Sequence, residues 1–91
     1  MSVAAVVVWV PGDVDPRPCL ASLEPQVDEL LMVANPGTPP PVADGIHVLV
    51  GERPLGFGAN VNRGVAATNA PFVIAANADV EAAEGAVAAW A

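Results

Sequence analysis

The sequence predicts an α/β domain built on a mainly parallel β-sheet, and three observations predict it. Apolar, β-branched segments alternate along the chain with segments of helical spacing, an order that requires crossover connections between parallel strands. The first apolar segment, residues 3–10, is apolar on both faces, which is typical of a central strand covered on both sides. The length of 91 residues fits one small domain, residues 1–91.

Local signals define the individual elements. Pro11 and Gly12 stop the first strand, while Asp15 and Pro16 are typical of the N-cap and first position of a short helix that Pro25 ends. The proline-rich segment 35–41 predicts a surface loop. The predicted strands are 3–10, 28–34, 46–50 and 72–76, and the two later helices are 59–69 and 81–90.

The connections predict the order of the strands. The return between the second and third strands is short, which leaves the long crossover to the fourth strand and gives the order 3-2-1-4. Helices on both faces of this sheet make a three-layer, Rossmann-like fold. In open sheets of this class, ligands bind at the carboxyl ends of the strands.

The charge balance excludes several classes of partner. The net charge is −7, and the only basic residues apart from His47 are three arginines, so no basic stripe is available for nucleic acid or anionic lipid. The longest apolar run is far below the ~20 residues of a membrane span, and no basic segment precedes it as in a signal peptide. The lone Cys19 cannot form an internal disulfide. We therefore expect a cytoplasmic domain without a membrane span.

Asn77 and Asp79 follow the fourth strand, at the predicted ligand edge of the sheet. Residues two apart in a strand share a side, so both can face one ligand. No basic residue lies within ten positions of Asp79, and oxygen ligands suit Mg²⁺ or Mn²⁺ shared with a diphosphate. Asp79 as N-cap of a helix beginning near Glu81 is the alternative interpretation.

The glycine-rich segment 56–64 leads into the second predicted helix. Its glycine spacing matches neither a dinucleotide fingerprint nor a P-loop, which argues against a nucleotide-dependent oxidoreductase. The first turns of the helix carry Asn60, Asn62 and Arg63, which can receive an anion at a helix N-terminus. The alternative is that the glycines allow close helix–sheet packing and the asparagines cap and solvate the helix.

Four segments, taken in order, resemble the N-terminal part of inverting family-2 glycosyltransferases of GT-A fold, particularly the rhamnosyltransferase-like branch. The likeness covers nearly the whole chain. The matching segments are Val-Val-Val-Trp-Val-Pro at 6–11, Cys-Leu-Ala-Ser-Leu at 19–23, the glycine-rich block at 55–64 and Asn-Ala-Asp at 77–79.

The resemblance implies a donor site for a nucleotide sugar. It places Pro11 and Asn35 near the base, and the loop-helix block under the sugar-diphosphate. Mg²⁺ or Mn²⁺ would be coordinated by Asp79 together with the diphosphate. The implied substrate-binding residues are Pro11, Asn35, Asn60, Asn62, Arg63 and Asn77. The implied reaction is glycosyl transfer to an acceptor hydroxyl on a glycan or a lipid-linked molecule.

The chain also departs from the family pattern. Ala34 stands where an Asp usually contacts the base, and Arg53-Pro54 replaces an Asn before the glycine block. The chain ends at Ala91, before the expected acceptor-binding part and its catalytic base, so we expect a truncated domain and assign no catalytic residue. The alternative function is a non-catalytic remnant, or an interaction subunit whose exposed apolar surface a partner chain or a second copy covers.

Overall fold

The computed structural model describes residues 2–42 and 45–90, in which strands and helices alternate. The elements are β1 (Val3–Trp9), α1 (Arg17–Leu23), a 3₁₀ turn (Glu24–Gln26), β2 (Glu29–Ala34), β3 (His47–Val50), α2 (Phe57–Ala66), β4 (Phe72–Asn77) and α3 (Ala86–Trp90). Among these residues, none of the helices has the length and apolar character needed to span a membrane.

The four strands form one parallel sheet in the order β3-β2-β1-β4, which confirms the predicted order 3-2-1-4. Val6 of β1 pairs with Leu31 on one side and Ala75 on the other, so β1 lies at the centre. Every residue of β1 is buried, as its unbroken apolar run predicted. The apolar pattern therefore located the middle of the sheet.

Helices cover both faces of the sheet, which gives the three layers of a Rossmann-like architecture. On one face, α1 and α3 pack through Cys19, Leu20, Leu23 and Val87 against the odd-numbered residues of β1. On the other face α2 lies against Val6 and Val33. β2 and β4 lie on opposite sides of β1, so the crossover from β1 to β2 and the later crossover to β4 run in opposite directions across the sheet. Right-handed crossovers then place their helices on opposite faces. The sheet thus has a topological switch point between β1 and β4.

Most predicted boundaries differ from the structure by one to three residues, but the last helix differs more. α3 begins at Ala86 rather than at residue 81, so the prediction for 81–85 was wrong. Gly85 has φ +81°, a left-handed conformation that no right-handed helix accommodates, and it separates the preceding residues from α3. The helix-favouring Glu81–Glu84 stretch does not overcome this turn.

Candidate functional site

The loops that follow the four strands meet at one edge of the sheet, where Rossmann-like domains bind ligands. The loops after β1 and β2 touch: a Cβ placed on Gly37 would lie 2.9 Å from Cγ of Pro11. Gly37 has φ +134°, which favours glycine at this position. Pro11 therefore packs against the neighbouring loop at the centre of the carboxyl edge.

An acidic cleft of about 300 Å³ opens at the switch point, between the loop after β1 and the turn after β4. Three of the residues around it carry carboxylates. The acidic cleft is lined by Val14, Asp15, Pro18, Cys19, Ala78, Asp79 and Glu81. Nucleotide- and metal-binding sites of open parallel sheets are found at this position in the topology.

Asp79 lies on the exposed side of this cleft. β4 ends at Asn77, and a backbone bond of 3.1 Å from Val80 N to Asn77 O closes a turn that contains Asp79. The strand alternation invoked for Asn77 and Asp79 therefore does not extend to Asp79, although both residues are exposed. The N-cap interpretation of Asp79 is also wrong, because α3 starts seven residues later, at Ala86.

The other two acids of the cleft, Asp15 and Glu81, differ in whether a cationic side chain is bound to them. Asp15 is bound to Arg17, whose Nη2 lies 2.8 Å from Oδ2 of Asp15, and these hydrogen bonds lower the pKa of the Asp15 carboxyl. Among the described residues that is the single ion pair, so the carboxylates of Asp79 and Glu81 have no cationic side-chain partner there. They are the acids available to a cation.

The described residues at this cleft do not form a closed metal cage. Within residues 2–42 and 45–90, no three His, Cys, Asp or Glu side chains are grouped so that they could hold a metal ion. An exposed carboxylate at Asp79 instead fits a cation that keeps waters and receives its remaining ligands from a bound phosphate, as Mg²⁺ commonly does.

Cys19 lines the same cleft but is unsuited to nucleophilic chemistry. Burial, and then the negative charges of Asp79 and Glu81, raise the pKa of the Cys19 thiol to about 11. The thiol points at the backbone oxygen of Asn77, 3.7 Å away. Since the thiolate is the reactive form, Cys19 is a packing residue between α1 and the end of β4.

A second, basic cleft of about 480 Å³ lies at the other end of the carboxyl edge, between the loop after β3 and α2. It contains two of the three arginines of the chain. The basic cleft is lined by Val50, Gly51, Glu52, Arg53, Leu55 and Arg63. Arg63 belongs to α2 and reaches back across Gly51, because a Cβ on Gly51 would lie 2.6 Å from Nη1 of Arg63.

Two predicted ligand residues, Asn35 and Asn60, point into the protein and hold the loop before α2. The side chain of Asn35 binds both backbone groups of Leu55, donating to its oxygen and accepting from its nitrogen, each at 3.0 Å. Nδ2 of Asn60 donates to Oδ1 of Asn35 at 3.0 Å and to Leu55 O at 3.1 Å. We call Asn35, Leu55 and Asn60 the asparagine cluster, and its geometry is that of positioning residues.

The predicted site residues therefore divide between the two ends of the edge. Asn77 and Asp79 are exposed beside the acidic cleft, Arg63 is in the basic cleft, and Asn62 is exposed on α2. Gly51 and Asp79 follow strands three positions apart in the sheet, a separation of about 14 Å at the usual strand spacing. One phosphate group cannot contact both a cation on Asp79 and the guanidinium of Arg63.

Sequence reasoning missed the residues that surround these anchors. The sequence pattern predicts a helix at Glu81, and it marks Arg53 only as a replacement of an Asn. Gly51 carries a usable signal, since a glycine directly after a strand at the carboxyl edge often marks close approach of another group. Comparison of the chain with known protein families, with curated proteins and with solved structures gives no match.

Proposed function

We propose that this domain binds a nucleoside-diphosphate sugar at the carboxyl edge of its sheet, as the donor-binding part of a family-2 glycosyltransferase of GT-A fold. One observation carries the proposal: the exposed Asp79 carboxylate, with no cationic partner among the described residues, lies beside the switch point of a 3-2-1-4 parallel sheet. The order of sequence motifs along the chain supports the family, and the sheet order agrees with it.

A divalent cation is needed for this binding on electrostatic grounds. The acidic cleft contains three carboxylates, and the whole chain has a net charge of −7, so a bare diphosphate is repelled from it. Mg²⁺ or Mn²⁺ on Asp79, with Asn77 beside it, would offset the two negative charges of the cleft that are unpaired among the described residues. Such a metal would stabilise the negative charge of the departing nucleoside diphosphate.

The proposal covers donor binding and leaving-group stabilisation. In glycosyl transfer, a general base takes the proton of the acceptor hydroxyl as it attacks the sugar. Asp15 is held by Arg17, and the nearby Cys19 is neutral at ordinary pH. Neither is suited to this step, and nothing in the structure points to Glu81 as the base, so we assign no catalytic base.

Calorimetric titration of UDP, dTDP and GDP into the protein, with and without Mn²⁺, tests the proposal. We expect one nucleotide to bind only with the metal, and Asp79→Asn to abolish that binding. Glu84→Gln is the matched control, because it also removes one exposed carboxylate in the segment between β4 and α3. Binding that survives EDTA or Asp79→Asn would contradict the proposal.

One observation favours the second candidate, an interaction subunit of the same fold. β4 is an edge strand that pairs only with β1 among the described residues, and residues 72–78 contain no charge. Phe72 is 41% exposed. Uncharged edges of this length are templates for pairing with another strand.

Sedimentation separates the two candidates. A monomer that binds a nucleotide with Mn²⁺ supports the donor-binding domain. A stable dimer that binds no nucleotide supports the interaction subunit, and a charge introduced by Ala75→Lys in β4 should then dissociate it. The corresponding control is Ala66→Lys, an exposed position at the end of α2.

A further inference from the structure

We infer that the basic cleft is an oxyanion-binding site in its own right, in which Arg63 takes a phosphate or carboxylate group of a small ligand. The site is separate from the metal-dependent one at Asp79 and does not need the cation. It therefore adds a second point of attachment for a ligand, at the β3 end of the carboxyl edge.

The state of the Arg63 guanidinium is the main observation. Nη1 of Arg63 is buried and has no hydrogen-bond partner within the described residues. The single ion pair of that part of the chain joins Arg17 to Asp15, so Arg63 has no carboxylate partner there either. A buried cationic donor without an acceptor is costly, and an oxyanion bound to the guanidinium would offset part of that cost.

The backbone near Arg63 leaves room for its guanidinium but does not pair it. Gly51 is buried, and its missing side chain leaves the space that Nη1 occupies. One turn earlier on α2, Asn60 is fully buried, and its Nδ2 donates hydrogen bonds to Asn35 Oδ1 and to Leu55 O. A planar guanidinium can donate two parallel hydrogen bonds to the two oxygens of a phosphate or carboxylate.

The charge of the cleft also favours an anion. Arg53 lines the cleft with Arg63, while Glu52 is its only acid and forms no ion pair with either arginine among the described residues. A chain with ten acidic residues and three arginines therefore collects two of those arginines in one cleft, away from the acids around Asp79.

Phosphate titration followed by NMR of the ¹⁵N-labelled protein tests the inference directly. Inorganic phosphate and acetate are added separately at constant ionic strength set with chloride, and the side-chain Nε–H signal of Arg63 and the Gly51 amide are followed. We expect saturable shifts of both signals with at least one of the two anions. The anion that binds more tightly identifies the class of ligand group.

Three variants distinguish specific anion binding at Arg63 from non-specific attraction of anions to positive charge. Arg63→Gln should weaken anion binding by about tenfold or more, because charge-assisted hydrogen bonds are lost. Gly51→Ala keeps the charge but displaces Nη1, so it should weaken binding as well. Arg17→Gln removes a charge that is already paired and should leave binding unchanged. Unsaturable shifts, or wild-type affinity in both Arg63→Gln and Gly51→Ala, would overturn the inference.

Thermal unfolding adds a measurement that does not depend on the NMR signals. In phosphate-free buffer, Arg63→Met should melt at a higher temperature than the wild type, because it removes an unpartnered charge while keeping the apolar stem. Added anion should raise the melting temperature of the wild type and not that of Arg63→Met. An equal rise in both proteins would contradict binding at Arg63.

Anion binding at the basic cleft can be tested independently of the proposed donor site at Asp79. Asp79→Asn should bind phosphate at the basic cleft as the wild type does. Intact phosphate binding together with absent Mn²⁺-dependent nucleotide binding would reject the donor-site proposal alone. Metal-dependent nucleotide binding without any anion effect at Arg63 would reject the basic-cleft inference alone.

Discussion

The two clefts of the carboxyl edge are built in opposite ways. The basic cleft rests on α2, which packs closely on the sheet, and on the asparagine cluster, which fixes the loop before it. The acidic cleft is formed by a surface turn and by Asp15 and Cys19 next to it. The first presents arginine donors, while the second presents exposed carboxylates.

This difference suggests how each end would act on a ligand. Arginine donors can set the geometry of a bound anion, because a guanidinium donates two parallel hydrogen bonds to it. Exposed carboxylates depend on a cation to become useful for a phosphorylated ligand. The basic cleft would therefore set the orientation of the ligand, and the acidic cleft would supply the metal-dependent part of the affinity.

The largest expected effect tests how closely α2, the helix that carries Arg63, packs on the sheet. A Cβ on Gly64 would collide with both methyl groups of Val6 and lie 3.2 Å from Cγ2 of Val33, so Gly64→Ala should lower the free energy of unfolding by roughly 3 kcal/mol. Gly58→Ala on the same helix meets no atom within 4 Å and should stabilise by about 0.5–1 kcal/mol. Urea unfolding of both variants measures the contrast. Equal effects would mean that α2 is not closely packed.

The next effect tests the asparagine cluster. Asn35→Ala removes three hydrogen bonds and leaves the Leu55 N–H without its acceptor, which should cost roughly 2 kcal/mol. Asn62→Ala changes an exposed asparagine of α2 and should leave the free energy of unfolding nearly unchanged. Denaturant midpoints give both values. A neutral Asn35→Ala would show that the loop before α2 does not depend on this cluster.

The smallest effect concerns the acidic end and its pH dependence. Burial raises the pKa of the Cys19 thiol from its ordinary value of 9.0 to about 11, so ionisation is harder in the folded state. The resulting stabilisation is complete below the unfolded pKa and is lost as the pH rises toward the folded one. We expect the free energy of unfolding to fall by about 1 kcal/mol between pH 8 and pH 10.

The composition of the chain leaves few other side chains that titrate in this pH window. The sequence contains no lysine and no tyrosine, so Cys19 is the one side chain expected to titrate between pH 8 and pH 10. Urea unfolding under reducing conditions at several pH values measures the slope. Cys19→Ala should abolish it, and a slope that persists in this variant would place its cause outside the acidic cleft.

The sequence alone predicted the sheet and much less of the site. The unbroken apolar run of β1 indicated the centre of the sheet, because a strand buried on both faces is apolar throughout. The lengths of the connections and the rules for crossovers indicated the strand order. The position of Asp79 at the carboxyl edge followed from the same reasoning. These features depend on periodicity, which a single sequence displays.

The orientation of side chains depends on partners distant in the chain and was not predictable. Asn35 and Asn60 are 25 residues apart, and no local pattern shows that they bind each other and not a ligand. The contact of Arg63 with Gly51 likewise requires the tertiary fold. The late start of α3 depends on the left-handed conformation of Gly85, which competes with strong local helix preference.

The measurement that most directly tests the two-ended carboxyl edge is paramagnetic broadening by Mn²⁺ in the presence of the nucleotide that binds. The account predicts that amide signals of residues 77–81 broaden first, while Gly51 and the Arg63 side chain, about 14 Å away by strand spacing, shift with phosphate and broaden much less. Broadening centred on Gly51 and Arg63, or spread evenly over the exposed acidic residues, would contradict the assignment of the cation to Asp79.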